Sequence, residues 1–113
     1  MRPTGVTLHQ SACTSINGKG YDFFIARSGL IIPSSEATDP NRIHICIEGD
    51  FSCPEAAAAD QVEEQLFIAH KLILRLALLF HFDPNDLIPH TEHCPGKFFP
   101  WSELVISPAD GYH

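Results

Sequence analysis

The stretch IHICIEGDFSCPEAAAADQVEEQLFIAHKLILRLALLF, residues 43–80, decides the fold because its hydrophobic period changes partway along. Its first part alternates between two sets of side chains: Ile43, Ile45 and Ile47 on one face, and His44, Cys46 and Glu48 on the other. Its last part repeats apolar residues at steps of three and four: Val62, Leu66, Ala69, Ile73, Leu76 and Phe80, widened by Leu72 and Leu79. The first pattern predicts a strand and the second a long helix that lies across a sheet.

Local signals mark the ends of this helix. Ser52 to Glu55 and Asp60 to Glu63 both have the spacing of a capping box, which leaves two possible starts. The helix is expected to stop at Phe82, with Asp83 capping a short turn that Pro84 begins.

Shorter elements are predicted on either side. Gly5 to His9 is typical of a strand, and Tyr21 to Arg27 with Leu30 to Ile32 forms a hairpin pattern around a Ser-Gly turn signal. A short helix is expected at Trp101 to Val105. Strands followed by one dominant helix predict an α/β domain with a small mixed sheet, and the length predicts a single domain over residues 1–113.

Composition excludes two classes of partner. Seven basic against fourteen acidic residues give a net charge of −7 with no Lys/Arg-rich run, so nucleic acid is not an expected ligand. The longest apolar stretch, Leu66 to Phe80, is too short and too charged to span a bilayer.

The amino terminus lacks the apolar core of a secretory signal, which predicts cytoplasmic synthesis. In that setting the four cysteines are expected as free thiols or metal ligands.

Three residues stand out as candidate metal ligands. His9 closes the first predicted strand, while His90 and Cys94, with three residues between them, lie in the segment PHTEHCPG, residues 89–96. Imidazole nitrogen and thiolate sulfur are preferred zinc ligands, and a three-ligand site leaves a position open for water. These residues could instead have structural roles, since a histidine can cap a strand end and a free cysteine is commonly a buried apolar group.

Four blocks of the sequence, taken in order, resemble the type-2 zinc-dependent N-acetylmuramoyl-L-alanine amidases. This group includes bacteriophage amidase lysozymes and peptidoglycan recognition proteins. The blocks are TLHQSA at 7–12, GYDFFIARSG at 20–29, IHICIEGDF at 43–51, and PH with CPGKFFPW at 89–90 and 94–101. The resemblance runs from about Gly5 to Leu104 and implies the amidase fold.

The resemblance also implies a site. It assigns the three zinc ligands to His9, His90 and Cys94, and an active-site tyrosine to Tyr21. Family members hydrolyse the amide between the lactyl group of muramic acid and L-alanine. Zinc lowers the pKa of bound water to about 7 and polarises the carbonyl. The Tyr21 hydroxyl would orient the water or stabilise the oxyanion.

The sequence departs from the family at several positions. The segment between the second histidine and the cysteine is shorter here. Glu92 stands where the family often has a lysine that helps to stabilise the transition state. Lys97 takes over the role of that lysine only if the loop folds back. His44 stands where the family usually has a small residue, and it fits a structural or surface role better than a catalytic one. Glu48 has two possible roles, as a general base or as a solvated carboxylate at the edge of the sheet.

Three functions follow from the sequence. The first is a monomeric, phage-like zinc amidase that acts on peptidoglycan in the cell wall after release or export by another route. The second is a muropeptide-binding module with a structural zinc ion and little or no turnover. The third is a zinc peptidase with an unrelated substrate.

Overall fold

The computed structural model describes residues 3–11, 21–34, 41–57, 60–89, 94–101 and 104. Five strands are present in this part of the chain: β1 (Val6–Gln10), β2 (Phe23–Ile25), β3 (Ile31–Pro33), β4 (Ile43–Ile47) and β5 (Leu87–Pro89). Two helices accompany them: α1 (Pro54–Ala57) and α2 (Asp60–Phe80). The predicted α/β class, with a small mixed sheet and one long helix, is confirmed. Most of the predicted helix at Trp101 to Val105 lies outside the described residues.

The strands form one sheet in the order β3-β2-β4-β1-β5. β4 pairs in parallel with β1 and β2, and β5 pairs in parallel with β1, whereas β2 and β3 form the predicted antiparallel hairpin. The two edge strands have three residues each and end at Pro33 and Pro89. Proline has no N–H to donate, so these edges are poor templates for pairing with another chain. The sequence did not predict β5.

The two faces of the sheet differ in chemistry. The register of β1 and β4 pairs Val6 with Ile43, Thr7 with His44, Leu8 with Ile45, and His9 with Cys46. Paired residues share a face, so the isoleucines join Val6 and Leu8, while the two histidines join Thr7 and Cys46 on the opposite face. The predicted alternation of β4 is therefore confirmed.

The apolar face packs against α2. Most of the predicted helical stripe is buried in one cluster with the sheet: Val62, Leu66, Ala69, Ile73 and Leu76. The prediction was wrong for the last turn, where Leu79 is 64% exposed and Phe80 also reaches solvent. A helix of 21 residues is about 31 Å long, whereas strands of five residues span only about 17 Å, so the last turn has no sheet to cover it.

The ends of α2 follow the sequence signals. The two possible starts correspond to two helices, because α1 begins at Pro54 and α2 at Asp60. After Phe80, His81 adopts a positive φ of 59° and the N–H of Phe82 donates to the carbonyl of Ala77, which is a Schellman-type end. None of the helices in the described ranges is long and apolar enough to cross a membrane.

One polar residue lies within the apolar stripe of α2. Gln65 is fully buried, and its Nε2 donates to the carbonyl of Ile25 at 3.2 Å and to that of Glu48 at 3.0 Å. These carbonyls lie at the carboxyl ends of β2 and β4. Gln65 therefore fixes the helix to the end of the sheet that carries the polar chemistry.

Candidate functional site

The carboxyl ends of β1 and β4 hold two candidate ligand-type side chains next to each other. His9 pairs with Cys46 in the parallel ladder, and both residues are buried, with His9 only 2% exposed. Open sheets with parallel strands bind ligands beyond the carboxyl ends of those strands. This end of the sheet is therefore the candidate site.

A second histidine contacts His9. The Nε2 atom of His9 lies 2.7 Å from Nδ1 of His44, a hydrogen-bond distance, and the ring centroids are 5.0 Å apart. The backbone of His44 is held on its other side, because its N–H donates to Oδ2 of Asp22 at 2.8 Å and its carbonyl accepts from the N–H of Asp22 at 2.7 Å. His44 is half-buried and contacts His9 at the candidate site.

The segment that contains Cys94 is joined to the same end of β1. The Oε1 atom of Gln10 accepts a hydrogen bond of 2.6 Å from the N–H of Phe51, whose carbonyl in turn accepts one of 2.8 Å from the N–H of Phe98. Gln10 directly follows His9 in β1. The chain around residues 94–98 is therefore docked next to the candidate site through Phe51.

Close packing at Gly96 makes this docking specific. Gly96 has a φ of 117°, and a Cβ atom there would lie 2.5 Å from the carbonyl carbon of Phe51 and 2.7 Å from its oxygen. Only glycine fits such an approach of two backbones. Two residues earlier, Cys94 is 1% exposed and is followed by a cis peptide bond to Pro95.

The aromatic residues after Gly96 mainly pack. Phe99 is buried, with its ring 5.0 Å from the rings of both Phe51 and Trp101 in edge-to-face geometry. Phe99 therefore packs inside the domain. Phe98 is partly exposed, and Nζ of Lys97 lies 5.7 Å from the centre of its ring.

His90, the remaining predicted ligand, lies outside the described residues, as do Glu92 and His93. The ladder of β1 and β5 pairs Leu8 with Pro89, and these residues directly precede His9 and His90 in the sequence. Within the described part of the chain, no group of three His, Cys, Asp or Glu side chains could hold a metal ion. The two described candidates, His9 and Cys94, are buried and offer the imidazole and thiolate donors that suit zinc.

Tyr21 lies on the site side of the sheet. Its ring centre is 5.5 Å from that of Phe24, and Phe24 pairs with Cys46 in the ladder of β2 and β4. Phe24 therefore shares the face of His9, two strands away. Tyr21 itself is half-buried.

Glu48 follows β4, and its carboxylate is bound by Arg27. Oε1 accepts from the N–H of Arg27 at 2.8 Å, and Oε2 lies 3.3 Å from Nη1 in a solvent-exposed ion pair. The structure thus brings Glu48 to the β2–β3 hairpin. The sequence carried no signal for this contact.

Comparisons with known proteins identify the architecture. No family profile and no curated protein sequence matches the chain. Among solved structures, N-acetylmuramoyl-L-alanine amidase LysC from Clostridium intestinale URNW superposes with a TM-score of 0.66 and 21% identity, over 92% of this chain and 83% of the amidase. Drosophila PGRP-LB gives a TM-score of 0.65 at 17% identity, over 92% of this chain and 81% of that protein. The chain has the fold of these two proteins.

PGRP-Hd from Alvinella pompejana is a more distant match. Its TM-score is 0.58 at 16% identity, over 87% of this chain and 78% of that protein. At such identities the amidase and PGRP likeness establishes the fold. The architecture implied by the sequence resemblance is confirmed.

Proposed function

We propose that this protein is a zinc-dependent amidase that hydrolyses the amide between N-acetylmuramic acid and L-alanine in peptidoglycan. The observation that carries the proposal is the buried His9 at the carboxyl end of β1, in a sheet that has the fold of a solved peptidoglycan amidase. The proposal describes one domain that works as a monomer on the cell wall after release or export.

The proposed metal ligands are His9, His90 and Cys94. The burial of His9 and Cys94 supports this set, as does the pairing of the residues that precede the two histidines. When bound, zinc would activate water and polarise the scissile carbonyl. In the net reaction water supplies OH to the carbonyl carbon, the C–N bond breaks, and a proton passes to the amine of L-alanine.

The remaining proposed roles belong to side chains around the sheet end. Tyr21, on the same face as His9, would donate a hydrogen bond to the carbonyl oxygen as negative charge develops there. Lys97 would stabilise the same charge only if its segment closes over the substrate. Glu48 is a weaker candidate for a base because Arg27 already binds both of its oxygens.

The second candidate function is a muropeptide-binding module with structural zinc. The short interval between His90 and Cys94 favours it, as does Glu92 in place of a cation. A negative charge at that position would oppose, rather than stabilise, a developing oxyanion.

The metal is tested first, by native mass spectrometry on protein purified without a His tag. We expect one zinc ion per chain, and its loss together with a less stable domain when Ala replaces His9, His90 or Cys94, since metal binding is coupled to folding. His81→Asn is the matched control, because this exposed imidazole lies after α2 and should leave zinc content unchanged. Absence of bound zinc after zinc supplementation would refute the proposal.

Activity is tested on purified sacculi. An amidase should release stem peptides without new reducing sugar ends, and a chelator should stop the release. Tyr21→Phe should lower the rate by about 10- to 1000-fold while melting temperature and zinc content stay constant. Sacculi that are bound but remain intact would instead establish the binding module, and an unchanged rate would remove Tyr21 from the mechanism.

A further inference from the structure

We propose that His44 is a positioning residue that holds His9 by Nε2 and so directs its Nδ1 atom to the metal. The inference rests on the proposed zinc site, but it concerns a residue that the family resemblance does not assign. It starts from the 2.7 Å distance between Nε2 of His9 and Nδ1 of His44.

The distance between these two nitrogen atoms is that of a hydrogen bond and is too short for two nitrogens bound to the same zinc ion. Two nitrogens bound to tetrahedral zinc at about 2.0–2.1 Å are separated by roughly 3.3 Å. A separation of 2.7 Å is short enough for one ring to donate a proton to the other. His44 therefore forms a hydrogen bond with the proposed ligand His9, and its Nδ1 atom is not positioned to bind the same ion.

The direction of the hydrogen bond follows from the needs of a metal ligand. A neutral imidazole has one N–H and one lone pair. If Nε2 of His9 accepted the bond, its proton would sit on Nδ1 and that atom would have no lone pair for zinc. If Nε2 donates to Nδ1 of His44, the lone pair of His9 is on Nδ1. Metal binding thus requires the second arrangement, with His44 as the acceptor.

The backbone around His44 makes it a rigid acceptor. β4 lies between β1 and β2, so main-chain hydrogen bonds hold it on both sides. Asp22 adds two more contacts to His44, one from its carboxylate and one from its own N–H. Outer partners of this kind fix the ring orientation and the tautomer of a ligating histidine.

Other groups on this face are engaged elsewhere or differ in chemistry. Thr7 accepts a hydrogen bond from Nε of Arg42 at 3.0 Å, which draws its hydroxyl toward the opposite end of the strand. Cys46 and Phe24 offer a thiol and an aromatic ring. Among the described residues, His44 contacts Nε2 of His9 through an imidazole nitrogen that can accept its proton.

A pair of substitutions tests this role. His44→Asn retains an acceptor close to the position of Nδ1, whereas His44→Leu has a similar bulk but no acceptor. We expect the zinc dissociation constant, measured by competition with a chromophoric chelator, to rise about 10- to 100-fold in His44→Leu and to stay within a few-fold of wild type in His44→Asn. Melting of both metal-free variants checks that they are folded.

The outcomes separate the inference from the proposed function. Equal weakening in both variants would make His44 a ligand or a packing residue, and unchanged affinity in His44→Leu would remove it from the site; either result overturns the inference alone. Wild-type protein that binds no zinc would overturn the inference and the proposed function together.

A measurement on the wild-type chain covers the case in which His44→Leu does not fold. Long-range proton–nitrogen NMR spectra of the metal-free protein should show His9 as the Nε2–H tautomer and the Nδ1 atom of His44 as an acceptor. An Nδ1–H tautomer at His9 would overturn the inference.

Discussion

The two ends of β1 are held by different chemistry. At the amino end, the guanidinium of Arg42 donates to Val6, Thr7 and Asp86: Nη2 reaches the Val6 carbonyl at 2.7 Å, the Asp86 carbonyl at 2.9 Å and its carboxylate at 3.0 Å. At the carboxyl end, the corresponding contacts of His9 and Gln10 involve imidazole, amide and backbone groups.

The amino end of β1 therefore contributes mainly to stability, whereas the carboxyl end carries the candidate site. Charge-assisted hydrogen bonds are about twice as strong as neutral ones, so the Arg42 contacts give the amino end the stronger attachment. A permanent cation at the carboxyl end would repel a bound metal ion. Partners without a permanent charge hold the strand there, which is compatible with the proposed metal site.

The largest expected effect is at the amino end. Arg42→Met removes four hydrogen bonds from a side chain that is 17% exposed and should lower the free energy of unfolding by about 3 kcal/mol, as measured by urea denaturation. Zinc affinity of the folded fraction should not change. Arg27→Met is the control: its side chain is 55% exposed in the ion pair with Glu48, so its loss should cost less than about 1 kcal/mol. Weaker zinc binding in Arg42→Met would show that the two ends are coupled.

Gly96→Ala should have an intermediate effect at the carboxyl end. The added Cβ meets the backbone of Phe51, so we expect a loss of about 2 kcal/mol in unfolding free energy together with weaker zinc binding, since Cys94 is in the same segment. Gly49→Ala is the matched control, because it also has positive φ but its Cβ meets only the Phe51 ring, at 3.3 Å. Equal zinc affinity in the two variants would contradict the proposed link between Gly96 and the site.

Gln10→Leu should have the smallest effect on stability. It leaves the Phe51 N–H without the acceptor that now lies at 2.6 Å, which should cost about 1 kcal/mol in the free energy of unfolding. The free energy of zinc binding should fall by more than the free energy of unfolding does, because Phe51 docks the segment that contains Cys94. Ser52→Ala, which removes only a long contact of 3.4 Å to Gln10, should leave both quantities unchanged. A Gln10→Leu variant with normal zinc affinity would argue against this docking path.

The sequence predicted elements with many periodic residues and missed those defined by tertiary contacts. β4 and α2 carry enough repeats to reveal their faces, and both were predicted correctly over most of their length. β5 has three residues, the last of them proline, and becomes a strand only because β1 pairs with it. Leu79 belongs to the helical period, yet its exposure depends on how far the sheet extends beneath α2.

The candidate site was predictable in part. His9 and Cys94 were selected by donor chemistry and resemblance, and both are buried. The alternation of β4 placed His44 on one face with Cys46 and Glu48, but a single sequence does not show that its ring contacts His9 on the neighbouring strand. Arg27 similarly reaches Glu48 only after the β2–β3 hairpin has formed.

The central place of the first strand affects how the chain is made. β1 is synthesised first, yet one of its two neighbours, β5, lies about 80 residues later, so this pairing must close a very long loop. At about 5–20 residues per second, a ribosome needs roughly 4–16 seconds to make the intervening chain. The sheet around His9 therefore reaches its five-strand order only after β5 has been made.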